Sequence, residues 1–125
     1  MPDLTLILPL PDPVLSPNAG GMRNPKRQAQ RRRAVRDAKE MIICAVLEQR
    51  PRGEPLTKAT VTVTFTVPDK RTRDKGNLIT SAKAYLDGLT LAGVIKDDAW
   101  RVIDEVYPLI EYRKGVSETR IEVTG

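Results

Sequence analysis

Histidine is absent from this chain of 125 residues, and cysteine occurs once, at Cys44. The first absence removes a histidine general base, any histidine-containing catalytic triad and most transition-metal sites. With a single thiol no intrachain disulfide can form, and a structural zinc site lacks its ligands. No apolar run approaches the ~20 residues that cross a bilayer. The opening MPDLTLILPL carries an acid where a signal peptide carries bases, and it leads straight into prolines. It is therefore expected to be a strand. A cytoplasmic location and no membrane partner are the resulting expectations. Chemistry must rest on carboxylates, lysines, hydroxyls or a bound hard metal.

What the chain does have is positive charge, unevenly spread. Its 21 Lys and Arg against 16 Asp and Glu give a formal net charge of +5. From Arg23 to Lys39 eight basic residues stand against one acid, Asp37. Clustered positive charge favours polyanions through counterion release. A solvated helix face is the alternative reading.

The length suits one domain, residues 1–125, with an ordinary core. Thr5 to Leu8 reads as a first strand, ended by Pro9, Pro11 and Pro13. Pro25 suits the first turn of a long helix, expected to run to about Gln49, before Arg50-Pro51. Val35, Ala38, Ile42, Ala45, Val46 and Leu47 form its apolar stripe. The basic residues lie mostly upstream, so the second half anchors the helix and the first half presents charge. Ala59 to Val67 alternates valine and phenylalanine with threonine, as a strand does. A second helix is expected from Gly76 to Ala92, burying Leu78, Ala82, Tyr85, Leu86 and Leu89, with Gly93 as its C-terminal cap. Val102 to Tyr112 reads as a strand, and Thr119 to Val123 as its hairpin partner across Lys114-Gly115. The order β-α-β-α-β-β predicts an α+β domain with a mixed β-sheet and two main helices.

Between Arg71 and Asp98 the chain reads RTRDKGNLITSAKAYLDGLTLAGVIKDD. Gathered carboxylates raise one another's pKa unless a cation sits between them. Asp74, Asp97 and Asp98 together would suit a hard divalent ion, for which Mg²⁺ is the usual choice. On a continuous helix Gly76, Thr80, Lys83 and Asp87 share one face. Each residue also has a plainer use. Lys83 and Asp87 make an ordinary i,i+4 ion pair, Asp74 a helix cap, and Asp97-Asp98 a turn.

Arg73, Asp74, Asn77 and Leu78, then Lys83, Leu86-Asp87-Gly88-Leu89, Ala92-Gly93-Val94-Ile95 and Asp97-Asp98 resemble the signature of the RusA family. These are Holliday-junction resolvases, endodeoxyribonucleases frequent in bacteriophages and prophages. The stretch LPLPDPVLSPN, Leu8 to Asn18, is similar to the family's opening strand and the turn after it. The resemblance covers nearly the whole chain. It implies a homodimeric, Mg²⁺-dependent endonuclease that resolves four-way junctions or related branched DNA by symmetric cleavage in recombination and repair.

By the same resemblance, Asp74 and Asp98 are catalytic and hold the metal, with Asp97 and Asp87 as further candidate ligands. Lys83 matches the motif lysine, expected to stabilise negative charge on the phosphate. It stands six residues after Asn77, where some members have three; the difference is nearly one helical turn, about 4.5 Å along the axis. Arg23, Lys26, Arg27, Arg31, Arg32, Arg33, Arg36, Lys70, Arg71 and Arg73, with Asn77, are the expected DNA contacts. Gly76 departs from the pattern, because the family places its second catalytic aspartate there. Cleavage, and binding of branched DNA without cleavage, therefore stand as alternatives. A basic nucleic-acid-associated structural protein, its acids being caps and turns, is a third. A helix from Asn77 to Leu91 is about 21 Å long, and the chain from there to Asp98 reaches at most roughly 23 Å. Asp98 thus meets Asp74 through a nearly straight return, through an earlier helix end, or across a dimer.

Overall fold

A computed structural model describes residues 3–15, 24–49, 54–70, 75–96 and 103–125. Four strands, β1 (Leu4–Leu8), β2 (Ala59–Val67), β3 (Ile103–Tyr112) and β4 (Glu118–Thr124), form one mixed sheet in the order β1-β4-β2-β3. β4 runs antiparallel to β1 and β2, and β3 runs parallel to β2. Thus β1, β2 and β3 all point the same way, with their carboxyl ends at one end of the sheet. Helices α1 (Pro25–Gln49), α2 (Lys75–Ser81) and α3 (Lys83–Leu91) complete the fold. The expected α+β domain with a mixed sheet is what forms.

The core lies between the sheet and the helices. Leu4, Leu6, Leu8, Val61, Val63, Phe65, Ile121 and Val123 meet Ala38, Ile42 and Val46 of α1 and Ala84, Tyr85, Leu86 and Leu89 of α3. The alternation in β2 sends its valines and Phe65 to this side. Thr64 and Thr66 face the other way yet are also buried. Arg120 spans that second face, reaching Glu122 at 3.2 Å and Glu111 at 3.9 Å.

The last two strands are not a hairpin, which corrects the sequence-based expectation. β4 pairs with β2 and β1 instead, matching Val63 with Ile121 and Val61 with Val123. The apolar β2 is the strand that gains most from partners on both sides. The chain therefore crosses the end of β2: Arg113 N–H donates to the Val67 carbonyl at 3.0 Å and Gly115 N–H to that of Pro68 at 3.3 Å. Gly115, at φ +75°, supplies the left-handed residue of this crossing. The β2–β3 register shifts between Thr62 and Thr64, where β3 carries Pro108. Proline has no N–H to donate, so it belongs on an edge strand or at a bulge.

The second expected helix is two. Ala82 separates α2 from α3, its N–H shared between the carbonyls of Leu78 (3.0 Å) and Ile79 (3.2 Å), while its own carbonyl accepts from Tyr85 at 3.0 Å. This is a local tightening to i,i+3 bonding, and the buried, small Ser81 and Ala82 leave room for it. α3 ends as Gly93 predicts: Gly93, at φ +77°, donates to Thr90, and Val94 donates to Leu89, the paired bonds of a Schellman cap. In α1, Leu47 is 53% exposed and is no part of the buried stripe. Ala38, Ile42 and Val46, each four apart, already fill the contact line.

Candidate nucleic-acid interface

Asn24 starts α1. Its side-chain oxygen accepts the Lys26 N–H at 2.9 Å, and Pro25 occupies the first helical position, where a missing N–H costs nothing. Ala38 is the first buried residue of the helix. Of the 13 residues before it, Val35 still packs against the core, and Arg27, Gln30, Arg33 and Ala34 line a groove with Asp12 and Pro13. At the far end, the Gln49 amide donates to the Thr5 carbonyl of β1 at 2.8 Å. The first half lies toward the carboxyl ends of the three parallel strands, beside residues 9–15.

That half holds Lys26, Arg27, Arg31, Arg32, Arg33 and Arg36. Arg27 and Arg31 are half-buried on the line that continues the core stripe, whereas Lys26, Arg32, Arg33 and Arg36 are exposed. Arg36 has Asp37 beside it at 3.7 Å, both in solvent, and Arg27 donates to Gln30 at 3.3 Å. Gln28, Arg31, Arg32 and Val35 line a dent of about 340 Å³. Its floor is apolar and its rim is guanidinium. A neighbouring groove of about 370 Å³ between α1 and residues 9–15 is different, because Asp12 and Asp37 line it.

The same end of the sheet is pinned by Pro9. Its carbonyl accepts the Tyr85 hydroxyl at 2.9 Å and the Thr119 hydroxyl at 3.0 Å, tying β1 to α3 and β4. Burial, and secondarily the Asp12 carboxylate, push the Tyr85 phenol up to about 12. Lys70 follows β2 at this end, its Nζ 5.3 Å above the Tyr112 ring centroid. Arg113 and Lys114 stand next to them, both exposed. These two bases were missed in the sequence, where Lys114-Gly115 looked like a hairpin turn. The adjacent Arg-Lys pair after an aromatic strand end is the signal that could have found them.

No family model matches the chain, and no curated protein is similar to it.

Several expected site residues, namely Arg23, Arg71, Arg73, Asp74, Asp97 and Asp98, lie outside the described residues. Gly76 and Asn77 are in α2. Lys83 and Asp87 are in α3 and form the plain ion pair, Nζ to carboxylate 3.3 Å, on an open surface. Among the described residues, no three carboxylate or thiol side chains converge into a metal site.

α2 follows β2 in the chain, and the segment after α3 returns to the start of β2, where Lys96 N–H donates to the Leu56 carbonyl at 3.0 Å.

Among the described residues, no helix is long and apolar enough to cross a membrane.

Proposed function

We propose that this protein binds branched DNA as a homodimer and cleaves it as a Mg²⁺-dependent endonuclease of the junction-resolving kind. The observation that carries the reading is the basic first half of α1. A helix half carrying six basic residues, four of them exposed, at the sheet end where Lys70, Arg113 and Lys114 also lie, suits phosphates. Such contacts fix position rather than sequence, which suits a substrate known by its branching. A four-way junction has approximate two-fold symmetry, and a C₂ dimer offers two matched surfaces to it.

Asp74 and Asp98 would hold the metal, with Asp97 beside them; carboxylate oxygens are the donors Mg²⁺ prefers. Asp87 is the least suited of the four, since Lys83 already neutralises it. When bound, the ion supplies Lewis acidity and lowers the pKa of water. Asp74 and Asp98 would meet across the dimer, one from each subunit, because the segment after α3 returns to Leu56 ahead of β2. Lys83, on the open side of α3, would steady negative charge on the phosphate.

Gly76 gives a second reading its weight: binding of branched DNA without cleavage, because no side chain ligates at that position. The deciding experiment incubates the purified chain with a synthetic four-way junction, with and without Mg²⁺. Metal-dependent paired nicks that vanish in Asp74→Asn support cleavage. Tight binding without product supports the second reading, and Gly76→Asp should then restore cutting. Equal affinity for junction and linear duplex would sink both.

A further inference from the structure

Tyr112 ends β3 opposite Val67, the last residue of β2. Phe65 and Tyr85 are buried to within 2% of their surface, whereas Tyr112 remains 50% exposed. Lys70 stands over the ring, and two further cations, the exposed Arg113 and Lys114, follow in the chain. The group is held firmly. The backbone bonds from Arg113 to Val67 and from Gly115 to Pro68 fasten its turn to the end of the central strand. A half-exposed ring with a cation on one face and further cations close by in the chain is a composition that holds unpaired nucleic acid: a base stacks on the other face and the cations take the phosphates. Duplex alone offers phosphates but no free base face.

We infer that Tyr112 is a stacking platform for one unpaired base, with Lys70, Arg113 and Lys114 holding the phosphates on either side of it. This rests on the proposed nucleic-acid surface and names what that surface takes beyond backbone. Bases at a branch point, having lost a stacking neighbour, are the natural occupants.

The test uses the full chain in EDTA, so that cutting plays no part. Binding is measured for a fluorescein-labelled oligothymidylate and for an abasic tetrahydrofuran oligomer of equal length and charge. The native chain should bind the oligothymidylate at least about fivefold more tightly, the low end of what stacking one base contributes. Tyr112→Ala should abolish that ratio without changing affinity for the abasic strand, and Tyr112→Trp should keep or raise it. Lys70→Gln should weaken both probes alike. Equal binding of the two probes by the native chain, or an unchanged ratio in Tyr112→Ala, overturns the inference. If neither probe binds, the nucleic-acid surface falls with it. If the ratio holds while a four-way junction stays uncut, the nuclease reading fails and the platform stands.

Discussion

Gly88 of α3 packs so closely on Ile42 of α1 that a β-carbon at position 88 would lie 2.8 Å from the Ile42 β-carbon. The two helices approach here because one of them has no side chain. Alanine normally favours a helix over glycine by about 1 kcal/mol. Here the contact reverses the sign, since overpacking a core costs roughly 1–3 kcal/mol. With that gain deducted the net cost is at most about 2 kcal/mol, so Gly88→Ala should lower the thermal midpoint by a few degrees, about 8 °C at most. Ile42→Val in the same background should not rescue it, because the nearest atom is the β-carbon that valine keeps. A variant as stable as the native chain would refute the close packing of α1 on α3.

Tyr85 sets the response to alkali. Its phenol titrates near 10.0 in the unfolded chain and is pushed up to about 12 in the fold, by burial first and by Asp12 second. A raised pKa favours the neutral form, so its stabilisation is complete below pH 10 and is lost as pH rises toward 12. The loss is at most roughly 3 kcal/mol. Tyr85→Phe gives up the bond to Pro9, about 1 kcal/mol at neutral pH, but has no phenol to ionise. Urea denaturation at pH 7 and pH 11 should find the native chain the more stable at pH 7 and the phenylalanine variant its equal or better at pH 11. A difference independent of pH would remove the buried phenol from the account.

Much of this fold was legible because local chemistry and packing agree. Pro25 set the start of α1, the Val-Thr alternation set β2, and Gly93 set the end of α3. What escaped was non-local. Nothing in residues 103–124 says that β4 bypasses β3 for β2; both pairings satisfy the same alternation, and only the need to cover β2 on both sides decides. The break at Ala82 was hidden because Ser81 and Ala82 do not interrupt a helical pattern by composition. Of the site, the basic first half of α1 was visible as a charge run ahead of an apolar stripe. Tyr112, Arg113 and Lys114 were not, because their grouping with Lys70 depends on the crossing over the end of β2.

Arg32 and Arg33 test the first half of α1 as a phosphate surface. Both are exposed and precede Ala38, the first buried residue of α1, so replacing them should leave the core untouched. Arg32→Gln with Arg33→Gln should shift the thermal midpoint by no more than about 2 °C, since surface changes stay near ±0.5 kcal/mol. It should reduce the slope of log affinity against log salt for duplex DNA by roughly 2, one counterion per lost contact. An unchanged slope would mean that α1 carries its charge as solvated surface only.

A site shared across the proposed dimer leads to a complementation test of the proposed nuclease. If each site draws Asp74 from one subunit and Asp98 from the other, Asp74→Asn and Asp98→Asn homodimers are both inactive. A heterodimer of the two has one site lacking both carboxylates and one site intact. Mixing them in equal amounts, with subunit exchange, makes about half of the dimers hybrid and restores roughly a quarter of the native sites. Nicking of one strand of a four-way junction should therefore reappear in the mixture. Where the native chain itself does not cut, the same pair is made in the Gly76→Asp background. Were each site built within one subunit, every site in the hybrid would lack one carboxylate and the mixture would stay silent. Binding of the junction by both variants, measured alongside, separates that outcome from misfolding.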